Sequence, residues 1–325
     1  MQLKRHPGNP ILTRSDIPTR PPGLVDVSAV FNPGAVRWSG QDLLLLRVQN
    51  RGRETFVLRA IDDGRGFWTI DSEPVRLRGV ERLAERIYHI YDPRVTPLDG
   101  AFFIVFAVDV EGGCRLGLAR TADFLAYDFL GLIGDRHSRN GVLLPERVAG
   151  RYLLLERPNR LTPGDGPPSG ETIVLSESSD LISWKEVAPV MHGRPRYWDE
   201  RIGSGPPPVK TREGWLHIYH GVATHFGAAN IYQAGAVLLD LEDPTRVHAR
   251  GRYNILEPRE LYEMVGQVPN VVFPSGMVVE GHDAQGFALP ESPVRIYYGA
   301  ADTVVCMATT TIDALIAACR AGGTE

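Results

Sequence analysis

Ile90-Tyr91-Asp92-Pro93-Arg94-Val95 is one of five related stretches in which a proline precedes a short apolar strand. The prolines of these stretches are Pro33, Pro93, Pro145, Pro207 and Pro274, so successive stretches are 60, 52, 62 and 67 residues apart. Each stretch is followed by a strongly apolar segment, and then by a second segment that ends in a turn with an acidic residue. Five units of this length, each supplying several strands, predict a five-bladed β-propeller.

The apolar segments that follow the prolines are Leu43–Val48, Ala101–Val108, Tyr152–Glu156, Trp215–Val222 and Val294–Gly299. Their shortness and the turn-forming clusters between them are typical of an all-β chain. A helical pattern is visible only at Val80–Ile87 and at Ile312–Cys319, the second with Thr311 as its N-cap. We therefore expect an all-β fold, a five-bladed β-propeller with a short C-terminal helix, in a single domain spanning residues 1–325. The alternative is a pair of β-sandwiches whose proline stretches are unrelated turns, but the repeat favours the propeller.

Composition excludes several classes of protein. The chain has 35 Lys and Arg against 39 Asp and Glu, a net charge of −4, so no basic field favours nucleic acid. The apolar runs are far shorter than the roughly 20 residues of a membrane helix, and the N-terminus has no apolar signal region. The three cysteines, Cys114, Cys306 and Cys319, form no Cys-x-x-Cys pair. We expect a cytoplasmic protein with no membrane or nucleic-acid partner.

The prolines also predict where a site lies. Proline fixes its own φ and holds the preceding residue extended, which suits a sharp entry to the inner strand of a blade. Asn32, Asp92 and Leu144 precede such prolines and are expected at the mouth of the central channel. The strands that follow bring further polar residues to the same mouth, namely Arg47, Arg157, His220 and Asp302.

Polar residues beside the strands form a set suited to chemistry on a sugar. It combines one acid, Asp92, with several cations and with amides or hydroxyls able to hold a sugar ring. These other residues are Arg47, Arg53, Arg139, Arg157, Lys210, Asn32, Asn140 and Tyr232. Each alone is an ordinary turn residue or surface charge. Their recurrence at comparable places in separate blades predicts a site, because surface charge has no reason to follow an internal repeat.

A metal site is not expected. The nine histidines include no His-x-x-x-His pair, and His217 and His220 are three apart on a predicted strand, which points them to opposite faces.

Six blocks of the chain resemble glycoside hydrolase family 130, the β-mannoside phosphorylases. They are Tyr91–Thr96, Arg139–Glu146, Leu155–Pro158, Gly203–Trp215, Ile218–Gly221 and Tyr297–Asp302. Two further blocks, Glu257–Tyr262 and Asn270–Gly276, resemble the subgroup that acts on 4-O-β-D-mannosyl-D-glucose. The resemblance covers essentially the whole chain and implies a five-bladed propeller, in agreement with the repeat.

The resemblance implies inverting phosphorolysis of a β-mannoside to α-mannose 1-phosphate and a free acceptor sugar. Inverting hydrolysis needs an acid and a base, whereas phosphate is already nucleophilic and needs a cationic cradle instead. By motif, Asp92 corresponds to the general acid, which acts through the mannosyl 3-hydroxyl. The implied phosphate-binding residues are Arg139, Arg157, Lys210, His220 and Tyr232. The implied sugar-binding residues are Asn32, Arg47, Arg53, Asn140 and Asp302.

The expected partners are therefore a disaccharide and inorganic phosphate as co-substrate, with no metal or organic cofactor. The sequence leaves a homo-oligomer open. Three alternatives also stay open: a β-1,4-mannooligosaccharide phosphorylase, a β-mannoside hydrolase without the cradle, and a non-catalytic sugar-binding or scaffold propeller. Scaffolds of the WD type repeat a Trp-Asp pair in blades of about 40–45 residues, whereas this chain has a single pair, Trp198-Asp199.

Overall fold

Five β-sheets are arranged as blades. A computed structural model of the chain describes residues 3–64, 66–159, 170–224 and 229–321. The chain begins with a short strand, β1 (Lys4–Arg5), and then builds the blades in sequence order. Blade 1 consists of β2 (Val27–Trp38), β3 (Gln41–Asn50), β4 (Thr55–Asp62) and β5 (Trp68–Ile70). Blade 2 consists of β6 (Leu77–Arg78), β7 (Ile87–Leu98), β8 (Ala101–Val110), β9 (Gly113–Thr121) and β10 (Tyr127–Ile133).

The remaining blades follow the same order. Blade 3 consists of β11 (Ser138–Leu143), β12 (Tyr152–Pro158), β13 (Thr172–Ser178) and β14 (Lys185–His192). Blade 4 consists of β15 (Arg201–Ser204), β16 (Val209–Thr211), β17 (Gly214–Ala223), β18 (Ile231–Leu239) and β19 (Val247–Arg250). Blade 5 consists of β20 (Val272–Val279), β21 (Pro293–Ala300) and β22 (Val304–Thr311). Strands within a blade pair antiparallel, except that β6 runs parallel to β10.

The ring closes because the first strand of the chain joins the last blade. Lys4 and Arg5 of β1 pair antiparallel with Thr309 and Ala308 of β22, so the two ends of the chain are held in one sheet. Two helices accompany this blade. Helix α1 (Leu261–Met264) precedes β20, and helix α2 (Ile312–Arg320) follows β22 and buries Ile312, Leu315, Ile316 and Cys319.

The core consists of an apolar layer between each pair of neighbouring blades. Strand β3 shows why the run Leu43–Leu46 is apolar at four successive positions. Leu43 and Leu45 face blade 2, whereas Leu44 and Leu46 face blade 5, because successive side chains of a strand point to opposite faces. A blade buried on both faces therefore needs the continuous apolar run that a one-sided sheet does not.

The predicted five-bladed propeller with a C-terminal helix is confirmed, and Thr311 is the N-cap of that helix. All five apolar segments singled out in the sequence are strands. The helical interpretation of Val80–Ile87 is wrong, because Val80–Arg82 forms one 3₁₀ turn and Ile87 begins β7. Neither helix that the structure describes has the length and apolar character to cross a bilayer.

Candidate active site

A cavity of about 310 Å³ lies at the centre of the ring, and all five blades contribute to its wall. The predicted site residues that line it are Asn32 and Arg47 from blade 1, Asp92 from blade 2, Arg139, Asn140 and Arg157 from blade 3, His220 and Tyr232 from blade 4, and Asp302 from blade 5. Residues up to 270 positions apart in sequence are thus brought to one pocket, as the repeat predicts. Its volume is in the range of small-molecule sites.

Irregularities in the inner strands aim these side chains inward. The pairing register shifts between Phe31 and Gly34 in β2, between Tyr91 and Arg94 in β7, and between Arg139 and Val142 in β11. A β-bulge of this kind breaks the alternation of side chains and re-aims the extra residue, which is why bulges occur beside active sites.

Each of these three bulges contains one residue with a positive φ, namely Asn32 at 46°, Asp92 at 53° and Asn140 at 55°. Asn and Asp tolerate this left-handed conformation better than other side chains. Pro33 and Pro93 therefore lie within bulged strands and not at the strand entry that the sequence predicted. Proline is accepted there because a bulge leaves a backbone position without a ladder hydrogen bond.

Asp92 is the acid of the cavity and is held by three groups. Its Oδ1 accepts hydrogen bonds from Arg47 Nη1 at 2.9 Å and from Asn32 Nδ2 at 3.0 Å. Arg94, which is fully buried, donates from Nη1 to the Asp92 carbonyl at 2.9 Å. Burial alone would raise the pKa of Asp92, but the charges of Arg47 and Arg94 and the two hydrogen bonds outweigh it and lower the pKa. The carboxylate is therefore ionised at neutral pH.

Arg47 is fixed between two aromatic rings. Its guanidinium carbon lies 4.4 Å from the ring centre of Phe31 and 4.5 Å from that of Tyr91. A cation on the face of an aromatic ring is attracted by the electron-rich π-system. Contact with both rings holds the guanidinium where Nη1 pairs with Asp92 Oδ1, so Arg47 orients the acid.

Asp302 is a second carboxyl of the cavity and lies near Asp92 and Arg47. Its pKa is raised, whereas that of Asp92 is lowered. Burial raises its pKa to about 6, and the negative charge of Asp92 adds to the effect, while Arg47 opposes it. Two neighbouring carboxyls with opposite pKa shifts are able to hold different protonation states at the same pH.

The other end of the cavity is cationic. Burial and the charge of Arg139 together lower the pKa of Arg157 to about 10, so the two guanidinium groups are close enough to repel each other. Such an arrangement is costly without an anion and favourable with one.

Many polar atoms of the cavity wall lack a protein partner. Among the described residues, the buried side-chain atoms without a hydrogen-bond partner include Asn32 Oδ1, Arg47 Nε, Arg139 Nε, Asn140 Oδ1, Arg157 Nε and both ring nitrogens of His220. Burial and the adjacent Arg157 hold the pKa of His220 well below its usual value, so its imidazole is neutral. Buried polar atoms are normally satisfied, and their concentration here fits a ligand rich in oxygen atoms.

The structure does not bring Lys210 to this cavity, which corrects its assignment to a phosphate cradle. Lys210 pairs in register with Trp215 at the start of β17, whereas the cavity residue His220 lies five residues further along that strand, about 17 Å away. The Lys210 ammonium instead forms an ion pair with Glu146 and lies 4.5 Å from the ring centre of Phe287.

Two other expectations are corrected. Arg53 is exposed in the turn between β3 and β4 and does not line the cavity, because β3 ends at Asn50, three residues past the cavity residue Arg47. Leu144 is buried in the apolar layer between blades 3 and 4, because the bulge of β11 places Asn140 at the cavity instead.

Several residues of the site were missed by the sequence analysis. Tyr91 and Asp109 line the cavity, so it is not the single-acid site expected above. Arg201 does not line the cavity but lies beside it, aligned across the sheet with Val222 and Tyr232. Burial raises the pKa of Tyr232, and the charge of Arg201 opposes that effect. A stricter repeat alignment would have found Arg201, because it precedes Pro207 by six residues as Arg139 precedes Pro145.

Comparison with known proteins decides the family. The profile of glycoside hydrolase family 130, described as β-1,4-mannooligosaccharide phosphorylase, matches residues 2–321. The chain belongs to glycoside hydrolase family 130. It is 30% identical over 319 residues to the β-1,4-mannooligosaccharide phosphorylase of Ruminococcus albus, covering 96% of this chain and 89% of that protein.

Two other relatives in the family carry different substrate names. The 4-O-β-D-mannosyl-D-glucose phosphorylase of Bacteroides fragilis is 31% identical over 319 residues, covering 91% of this chain and 76% of that protein. The β-1,2-mannobiose phosphorylase of Listeria innocua, solved with β-1,2-mannobiose, superposes with a TM-score of 0.83 at 27% identity, covering 98% and 99% of the two chains. The family 130 protein is thus an enzyme of the glycoside phosphorylase type, with relatives that differ in linkage and acceptor.

Proposed function

We propose that this family 130 enzyme catalyses inverting phosphorolysis of 4-O-β-D-mannosyl-D-glucose, yielding α-mannose 1-phosphate and glucose. The observation that carries the proposal is the division of one cavity into two ends. Asp92, Arg47 and Asn32 form an acid end, and Arg139 and Arg157 form a cationic end.

At the acid end, Asp92 supplies the proton that the leaving sugar needs. The bond from the anomeric carbon to the leaving oxygen breaks, the bond from that carbon to a phosphate oxygen forms, and the leaving oxygen takes a proton from Asp92 by way of the mannosyl 3-hydroxyl. Asn32, Asn140 and Asp302 offer hydrogen bonds to the mannosyl ring. General acid catalysis of this kind contributes about 10²–10⁴-fold to the rate.

At the cationic end, Arg139 and Arg157 hold the phosphate and orient it toward the anomeric carbon. Tyr232 and the neutral imidazole of His220 add hydrogen bonds without adding charge. The phosphate charge also offsets the guanidinium charges that lower the pKa of Asp92. We therefore expect phosphate binding to raise that pKa and to favour the protonated acid at the moment it is needed.

The substrate assignment rests on the two blocks that resemble the mannosylglucose subgroup. Val271 and Phe273 of the second block line the cavity, whereas the block Glu257–Tyr262 lies outside its lining. The rival substrate is a β-1,4-mannooligosaccharide, which the similarity to the Ruminococcus albus enzyme over 96% of the chain favours. Both substrates share the β-1,4 linkage and the reaction, and they differ in the acceptor sugar.

The test is to incubate the enzyme with mannosylglucose, with and without phosphate, and to assay mannose 1-phosphate and mannose separately. We expect mannose 1-phosphate only, in the presence of phosphate only, and no loss of activity with EDTA. Equal sugar release without phosphate would make the protein a hydrolase. Binding of mannosides without any turnover would make it a sugar-binding propeller.

A further inference from the structure

Asp109 is a carboxylate that the reaction outlined above does not use, although it lines the catalytic cavity. It lies near the end of β8, opposite Cys114 of β9, and its side chain is half-buried. A negative charge is not expected in this part of the cavity wall, because Arg139 and Arg157 are cations suited to bind an anion. The position of Asp109 in the cavity therefore needs a chemical explanation.

The orientation of Asp109 is set by its neighbours. Tyr91 Oη donates a hydrogen bond to Asp109 Oδ1 at 2.8 Å, and Tyr91 itself is held in place under the Arg47 guanidinium. Arg139 interacts electrostatically with Asp109, Tyr91 and Cys114. Within the described residues, Tyr91 is the only hydrogen-bond donor to the Asp109 carboxylate, so Oδ2 retains its capacity to accept.

An ionised carboxylate accepts hydrogen bonds and donates none. Inorganic phosphate keeps at least one proton at neutral pH, and arsenate does the same, whereas sulfate of nearly the same size and shape has none. A carboxylate in the cavity wall near Arg139 therefore attracts the O–H of hydrogen phosphate and repels every oxygen of sulfate.

We propose that Asp109 is a specificity-determining residue that selects a protonated oxyanion, its Oδ2 accepting the O–H of hydrogen phosphate bound between Arg139 and Arg157. The inference rests on the proposed function, because it assumes that phosphate occupies this end of the cavity. It also assigns the phosphate proton to the oxygen that faces Asp109. The oxygen that faces the sugar is then unprotonated, which is the nucleophilic form.

The experiment compares anion binding by calorimetry, using the intact enzyme at neutral pH and constant ionic strength with sodium phosphate, sodium arsenate and sodium sulfate. We expect phosphate and arsenate to bind with similar affinity and sulfate about 10- to 100-fold more weakly, the value of one charge-assisted hydrogen bond gained or lost. Sulfate binding within a few-fold of phosphate would overturn the proposal on the wild-type protein alone.

Asp109→Asn is the informative variant, because the amide donates hydrogen bonds and carries no charge. We expect it to weaken phosphate binding, to strengthen sulfate binding, and so to reduce the selectivity by about 10-fold or more. The matched control is Asp128→Asn in the same blade, where an exposed carboxylate pairs with Arg78 outside the cavity. An unchanged ratio in Asp109→Asn overturns the proposal.

Calorimetry and the activity assay together distinguish a wrong assignment of Asp109 from a wrong assignment of the reaction. If phosphate binds selectively but no mannose 1-phosphate forms from mannosides, the proposed reaction is wrong and the assignment of Asp109 is supported. If mannose 1-phosphate forms and sulfate competes as well as arsenate, the reaction is supported and the assignment of Asp109 is wrong.

Discussion

Arg47 and Asp92 form an ion pair across the boundary between blades 1 and 2, with 2.9 Å between Arg47 Nη1 and Asp92 Oδ1. Both groups are largely buried, so breaking the pair by removing one partner leaves an uncompensated charge. The pair lowers the pKa of Asp92, so an anion that binds nearby and offsets the Arg47 charge favours protonation of the acid. Four predictions test this arrangement and the rest of the site.

Asp92→Asn should reduce kcat for phosphorolysis by about 10²–10⁴-fold, because the amide has no proton of suitable acidity to give. The fold should form with lowered stability, because Asn is well tolerated at the φ of 53° that this position adopts but leaves the Arg47 charge without its partner. The control is Asp99→Asn, which changes an exposed carboxylate at a φ of 50° that pairs with Arg147. Turnover of Asp92→Asn close to that of the control would show that the acid lies elsewhere.

Arg157→Ala should raise the KM for phosphate about 10- to 100-fold, with a smaller effect on the KM for the disaccharide, because it removes a charge-assisted hydrogen bond to the anion. Lys210→Ala is the matched control. Its side chain pairs with Glu146 outside the cavity, so both KM values should stay at their wild-type level. Initial rates over a range of concentrations of both substrates give the KM for phosphate and the KM for the disaccharide separately. A rise of the phosphate KM in Lys210→Ala would show that Lys210 binds phosphate after all.

Asp302→Asn should stabilise the fold at pH 8 by about 3 kcal/mol, because the folded state must ionise a carboxyl whose pKa is raised to about 6 by burial. The contribution of protonated Asp302 to the free energy of unfolding is fully present below pH 3.8, the usual pKa of the group. This contribution is lost as pH rises through about 6. The gain from the substitution should therefore shrink as pH falls from 6 toward 4. Denaturant unfolding at several pH values measures it, and a gain independent of pH would contradict the raised pKa.

In the synthetic direction, glucose should be the preferred acceptor for α-mannose 1-phosphate. Glucose and mannose differ only in the orientation of the C2 hydroxyl, and a site that hydrogen-bonds it discriminates strongly, because the wrong epimer leaves a buried polar group unpaired. The measurement compares kcat/KM for glucose, mannose and N-acetylglucosamine. Mannose equal to or better than glucose would assign the enzyme to the mannooligosaccharide phosphorylases and leave the acid and the cradle unchanged.

Most of the cavity wall could be predicted from the repeat and the family resemblance together. Asn32 and Asp92 were found because each directly precedes the proline of its stretch, and Arg139 was found as a cation beside a strand and through the family resemblance. Asp109 and Tyr91 were not found. Asp109 lies at the end of an apolar strand outside any proline stretch, and Tyr91 reads as an ordinary apolar neighbour of Asp92. Lys210 was assigned to the cradle through the family resemblance, whereas β16 aligns it with Trp215 at the start of β17, away from the cavity residue His220.

The sequence by itself determined the number of blades, the strands that follow each proline and the closing helix. These features depend on the local alternation of apolar residues and turns, which a strand buried on both faces imposes residue by residue. Only the tertiary structure decided which polar side chains meet, and with what charge. The bulges that turn Asn32 and Asp92 inward and the opposite pKa shifts of Asp92 and Asp302 arise from groups on different blades. Electrostatic interactions act through space between residues far apart in sequence, so no local pattern encodes them.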